Sequence, residues 1–162
     1  MISIRAATED DVDRLLELID ALADYEKLDR PDSAARERLR RDGFGDRPLF
    51  RAYLGELDGE PVAYAITYQT YSSFLALPTL YLEDLFVLPR ARGQGLGGAM
   101  FRHLAVEAVE QGCGRMEWVV LDWNQNAIDF YERMGARRLN EWYTYRLTRD
   151  RLLELTAAER PE

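Results

Sequence analysis

The sequence predicts an α/β fold built as an α+β mixed sheet in a single domain, and three features carry that expectation. Val12, Leu15, Leu16, Ile19, Leu22 and Ala23 recur at helical spacing. Period-two stretches flank Asp58-Gly59, a dipeptide that favours tight hairpin turns. An apolar strand from Leu80 to Val87 passes through Leu88-Pro89 and a glycine-rich turn, Arg90 to Gly98, into a helix that reaches Gln111. Strand, glycine turn and helix together point backbone N–H groups and a positive helix end at an anion.

In chain order, Ile2 to Ala6 alternates and reads as a short strand. Thr8 with Asp11 resembles a capping box, and the amphipathic helix after it is expected to end near Leu28. Asp29-Arg30-Pro31 breaks it, and Asp32 or Ser33 caps a charged helix expected to reach Arg41, closed by Gly43-Phe44-Gly45-Asp46. Phe50, Ala52, Leu54 and Leu57 lead into the hairpin, with a return strand from Val62 to Tyr71 and a loop from Ser72 to Pro78. Leu80 to Val87 is the next strand, and in an unbroken strand Glu83 and Asp84 point to opposite faces. The helix from Gly98 to Gln111 turns Met100, Leu104 and Ala108 inward. Met116 to Leu121 is read as a further strand, reached from the glycine helix by a crossover expected to be right-handed with the two strands parallel. A helix from Gln125 to Met134 with Gly135 as its C-cap follows, then a last strand, Trp142 to Leu147, and a helix from Arg149 to Ala158.

With 162 residues, nearly half of them apolar, the chain supports one packed core. No run approaches the ~18 apolar residues of a membrane span, and Met1 to Arg5 lacks the pattern of a signal peptide. Cys113 is the only cysteine, which agrees with a reducing cytoplasm. His103 is the only histidine and leaves no basis for a multi-histidine metal site. A net charge of −8 argues against nucleic acid and is compatible with a cationic substrate.

Three glycine-loop chemistries compete. A nucleotide P-loop needs a lysine after its glycines, and none is present. Gly93-x-Gly95-x-x-Gly98 matches the dinucleotide fingerprint, with Asp122 as a ribose acid, but five residues separate the strand from the first glycine and three strands precede it. Arg90-x-x-Gly93-x-Gly95 resembles the acyl-CoA pyrophosphate signature of the GNAT superfamily of N-acetyltransferases. Asn124-x-x-Ala127-x-x-Phe130-Tyr131-x-x-x-Gly135 is similar to that superfamily's later motif. Tyr25-Glu26, Asp42 to Gly45, Tyr81-Leu82-Glu83-Asp84 and Glu117 to Tyr131 narrow the resemblance to the diamine (spermidine/spermine) and thialysine N-acetyltransferase branch. Where that branch carries Asp-Pro-Trp before the Tyr-Leu-Glu-Asp strand, this chain has Ser72-Ser73-Phe74.

The resemblance implies acetyl-CoA as cofactor and direct attack by an amine. An alkylammonium, with a pKa of ~10.4, must lose a proton before it attacks. Glu83 takes the family's place for the carboxylate that accepts it, directly or through water. Tyr131 takes the place of the phenol that protonates the departing thiolate, with core packing as the alternative. The implied cofactor contacts are Leu85, Phe86 and Val87, whose backbone N–H groups are oxyanion donors at a splay in the sheet. They continue through Arg90, Arg92, Gly93, Gln94, Gly95, Leu96, Gly97 and Gly98, then Asn124, Asn126, Ala127 and Tyr131. Asn124 serves equally well as an N-cap. The amine end comprises Tyr25, Glu26, Glu83, Asp84, Glu117, Trp118, Val119, Glu141 and Trp142, with Glu26 alternatively an exposed helix residue. The branch also implies a homodimer. Other amines (an amino acid, an aminoglycoside or a protein lysine) and a non-catalytic acyl-CoA-binding module remain open alternatives.

Overall fold

A computed structural model describes residues 1–157, which fall into two compact units, Met1–Leu121 and the residues from Asp122 onward. The first unit is built on a five-stranded sheet in the order β1-β2-β3-β4-β5: β1 is Ile2–Ala6, β2 Arg51–Leu57, β3 Glu60–Ser72, β4 Leu77–Val87 and β5 Arg115–Glu117. The first four strands are antiparallel neighbours. β4 and β5 run parallel, joined by α3, Leu96–Glu110, as the crossover predicts. The α/β mixed sheet expected from the sequence is therefore present.

α1, Val12–Glu26, packs one face of the sheet, where Leu15 and Leu18 meet Ala52, Leu54, Tyr64, Ile66 and Phe86. Its start is fixed as expected, with the Thr8 N–H and hydroxyl both donating to the Asp11 carboxylate, at 2.8 and 2.9 Å. It ends two residues before Leu28, where Lys27 adopts a left-handed conformation. α3 packs the opposite face with Met100, Leu104 and Ala108 buried. Its approach depends on Gly55 of β2, where a Cβ would lie 2.6 Å from Met100 Sδ.

α2, Ser33–Phe44, is capped by Asp32, whose carboxylate accepts from the Ala35 N–H at 2.7 Å. It runs past the predicted end at Arg41 and through Gly43. The reason is packing: a Cβ at Gly43 would strike the Phe50 ring at 2.5 Å, so the glycine seats that ring instead of breaking the helix. The Ser72–Pro78 loop is shorter than predicted, because β3 extends to Ser72 and β4 begins at Leu77.

Two predicted strands differ. β5 stops at Glu117 instead of Leu121, and its ladder with β4 covers only Thr79 to Tyr81. Beyond that point, from Leu82 to Val87, β4 has no partner on its β5 side among the described residues, so the sheet opens into a splay. Trp142 to Leu147 forms no strand. Its alternation is real, but a strand needs a ladder for its N–H and C=O groups, and none is made among the described residues. Trp142 and Tyr145 are 72% and 91% exposed.

Within the second unit, α4 is Gln125–Arg133 and α5 is Arg149–Ala157. Gly135 follows α4 at φ 90°, the left-handed position assigned to it. The last predicted helical residue, Ala158, lies outside the described residues. No helix among the described residues is long and apolar enough to cross a membrane.

Candidate active site

The decisive feature is a β-bulge in β4. Asp84 pairs with Ile66 while Leu82 pairs with Thr67, so Glu83 is an extra residue opposite a continuous β3. This overturns the expectation that Glu83 and Asp84 face opposite ways. Alternation fails across a bulge because the inserted residue shifts the parity of everything after it. On β3, Tyr64, Ile66 and Tyr68 share the α1 face. The Tyr64 hydroxyl donates to Asp84 Oδ2 and the Tyr68 hydroxyl to Glu83 Oε2, each at 3.1 Å. Both carboxylates thus lie on one face, beneath the end of α1 that carries Tyr25 and Glu26.

Electrostatics differ across this cluster. Burial pushes the Asp84 carboxyl up to about 6, with Glu83 and Glu26 adding repulsion while the Tyr64 hydrogen bond opposes the rise. Burial also raises Glu26 above its ordinary value. Burial and then the charge of Glu83 push the Tyr68 phenol up to about 12, so it remains a proton donor at neutral pH. Tyr64, fully buried, is raised beyond its usual range by burial and then by Asp84. Glu83 itself is exposed to solvent. One face therefore offers an accessible carboxylate beside a part-buried one that holds its proton more tightly than usual, in a setting that favours a cation.

Past the bulge, Leu85, Phe86 and Val87 form the splayed end of β4, with Phe86 buried against Tyr25 at 6.1 Å between ring centroids. The chain then enters the glycine turn. Gly93 and Gly95 have φ of 78° and 85°, and a Cβ at either would find no atom within 4 Å. Gly95 is the N-cap of α3 and supplies no side chain to cap it. The N–H groups of Leu96, Gly97 and Gly98 stand in the first turn, where a helix has no internal acceptors. This open cradle of backbone donors fits the pyrophosphate of an acyl-CoA. Gln94 lies exposed between the two glycines.

The two arginines assigned to that phosphate are engaged elsewhere on the protein. Arg90 forks Glu60 at 2.5 and 3.2 Å. Arg92 donates from Nε to the Val87 carbonyl at 2.9 Å and stacks over the Tyr25 ring at 4.7 Å and the Phe86 ring at 5.6 Å. Tyr25, expected as an aromatic wall for the amine, thus already carries a guanidinium on its ring.

Glu117 pairs with Tyr81 across the β4–β5 ladder and forms an ion pair with Arg115 at 3.0 Å. Trp118 packs edge-on to Phe101 at 5.4 Å, and Val119 is 64% exposed. In the second unit, Asn124 Oδ1 accepts from the Ala127 N–H at 3.3 Å, the N-cap role the sequence left open for it. Asn126 and Ala127 occupy the first turn of α4, and Tyr131 packs edge-on to Phe130 at 5.2 Å. Glu141 and Trp142 are exposed in irregular chain. Sequence reasoning missed Tyr64 and Tyr68 as partners of the acids. Their even spacing along a period-two strand was the available signal.

Comparison with known proteins places this geometry. A model of the acetyltransferase (GNAT) family matches residues 15–136. A thialysine N-epsilon-acetyltransferase from Sus scrofa is 39% identical over 163 residues, spanning 94% of this chain and 95% of that protein. Spermidine/spermine N(1)-acetyltransferase-like protein 1 from Homo sapiens is 35% identical over 96% of this chain, which corresponds to 24% of that longer protein. An integron cassette protein from V.cholerae shares the fold with a TM-score of 0.81 at 22% identity, over 96% of this chain and 97% of that one. With the family model covering most of its length and a full-length relative at that identity, the chain belongs to the acetyltransferase (GNAT) family and is an acetyl-CoA-dependent N-acetyltransferase.

Proposed function

We propose that the chain, acting as one catalytic domain, transfers an acetyl group from acetyl-CoA to a primary amine of a small cationic substrate, a polyamine, a diamine or a thialysine-like amino acid. The observation that carries this reading is the gathering of Glu83 and Asp84 on one face with Glu26. Such a cluster attracts an ammonium group and gives its proton somewhere to go. The names of the Sus scrofa and Homo sapiens relatives point to the same substrate classes.

Acetyl-CoA supplies the activated acetyl thioester. The amides from Gly93 to Gly98 hold its pyrophosphate, and Asn126 and Ala127 support its pantetheine arm. Backbone N–H groups in the splayed Leu85 to Val87 segment stabilise the developing oxyanion. Glu83 removes a proton from the ammonium group, directly or through water, because only the neutral amine attacks. Tyr131 returns a proton to the departing sulfur. Asp84 and Glu26 bind the remaining positive charge, and Glu117 to Val119, Glu141 and Trp142 are further candidate contacts for the amine. We further propose a homodimer in the cytoplasm, in which the exposed Trp142 to Leu147 segment finds its ladder on a second copy.

The test is free-thiol release from acetyl-CoA across spermidine, spermine, thialysine, lysine, ornithine and an aminoglycoside. Turnover highest with a polyamine, diamine or thialysine is the expected result. Highest turnover with the aminoglycoside would overturn the substrate class, and cofactor binding without turnover of any amine would overturn catalysis.

A further inference from the structure

A bulged, exposed glutamate is a poor base unless something holds it still. Its side chain has three rotatable bonds, and fixing it costs rotamer freedom. Around Glu83, β3 contributes Tyr64 and Tyr68, β4 contributes Tyr81 and Asp84, and α1 contributes Glu26. Glu117 on β5 acts on Tyr81 from the far side. Of these, Tyr64 is committed to Asp84, while Asp84 is a carboxylate that both Glu83 and Glu26 repel. The one hydrogen bond described to the Glu83 carboxylate comes from Tyr68, at 3.1 Å to Oε2. Tyr68 is itself fixed: its Cα partner across the ladder is Tyr81, and the two rings pack with centroids 5.1 Å apart.

We propose that Tyr68 is a positioning residue for proton removal. Its hydroxyl pins Oε2 of Glu83 and leaves Oε1 as the oxygen that accepts the amine proton. The inference rests on the reading of Glu83 as the base. In the step itself an ammonium N–H bond breaks, its electron pair stays on nitrogen as the attacking lone pair, and the proton bonds to Oε1. The O–H of Tyr68 stays intact throughout. Because Glu83 is exposed, the proton then passes to solvent.

The experiment compares Tyr68→Phe, Glu83→Gln and the double variant in the full-length protein, using the amine of highest turnover and following pH profiles and thermal melts. Tyr68→Phe keeps the ring and its packing on Tyr81 while removing one oxygen. It should lower kcat about tenfold, as expected for a lost hydrogen bond to a charged group. The KM for acetyl-CoA should stay within about twofold on the same reasoning, and the acid limb of kcat/KM should move to higher pH. In the Glu83→Gln background the same change should have no further effect. A structural role predicts an equal loss in both backgrounds, a lower melting temperature and an unmoved acid limb, and that result overturns the inference. If Glu83→Gln is costly but Tyr68→Phe is silent, the role of Tyr68 falls while the base stands. If Glu83→Gln is silent, both fall together.

Discussion

The bulge and the glycine turn occupy successive parts of one stretch of chain, and they are built on opposite principles. At the bulge, the proposed function rests on side chains: Glu83 and Asp84 are turned onto one face by a single inserted residue and held by Tyr68 and Tyr64. At the turn it rests on backbone, with glycines at positive φ presenting N–H groups into open space. The first is crowded and acidic, the second open and polar. A site built from side chains therefore depends on the register of a neighbouring strand, whereas one built from backbone depends only on its own local sequence.

The sharpest way to separate the two is Glu83→Gln. A general base contributes ~10²–10⁴-fold, so turnover at neutral pH should fall by at least about a hundredfold. Binding of acetyl-CoA should be unchanged, since the turn is untouched. The deficit should narrow as the pH approaches the ~10.4 of a free alkylammonium, where the amine arrives already neutral. A deficit independent of pH in steady-state assays would remove Glu83 from the proton path.

Asp84 tests the crowded side thermodynamically. Its folded pKa of about 6 lies above the ordinary value of 3.8, so the folded state holds this proton more tightly than the unfolded chain. Stability consequently declines as pH rises between those two values, and the full penalty is present above about 6. Asp84→Asn removes the charge and keeps an acceptor for the Tyr64 hydroxyl. It should raise stability at pH 7 by ~2–3 kcal/mol in urea titrations, with the gain vanishing below about pH 4. The KM for the amine should rise at the same time. Equal stability of the two proteins across that range would mean that Asp84 is not buried as a charge.

The contrast also explains what could be read from the sequence. The glycine turn, the Asp58-Gly59 hairpin, the Asn124 cap and Gly135 were legible because each is a requirement of a residue on its own backbone or immediate neighbours. The strand carrying the acids was legible as well, but the facing of its side chains was not. One extra residue against β3 inverts the parity, and no composition rule marks where it sits. The pairing of Tyr64 with Asp84 and of Tyr68 with Glu83 was hidden for the same reason. Trp142 to Leu147 fails differently: its alternation states a readiness to pair, while the ladder itself must come from another segment. The destinations of Arg90 and Arg92 were likewise set by Glu60 and by the rings of Tyr25 and Phe86, partners distant in sequence.

The smallest expected effect belongs to the open side. Gly95→Ala places a Cβ at φ 85° with no protein atom within 4 Å, so its cost within the protein is conformational alone, ~1–2 kcal/mol. Gly59 in the β2–β3 turn has a matching φ of 84° and equally empty surroundings. Gly59→Ala is therefore a control that should lose about the same stability in urea titrations. Only Gly95→Ala should weaken acetyl-CoA in a binding titration, by about tenfold, because only there does a methyl group enter the space a pyrophosphate would occupy. Equal cofactor affinity in the two variants would show that Gly95 serves the turn and not the ligand.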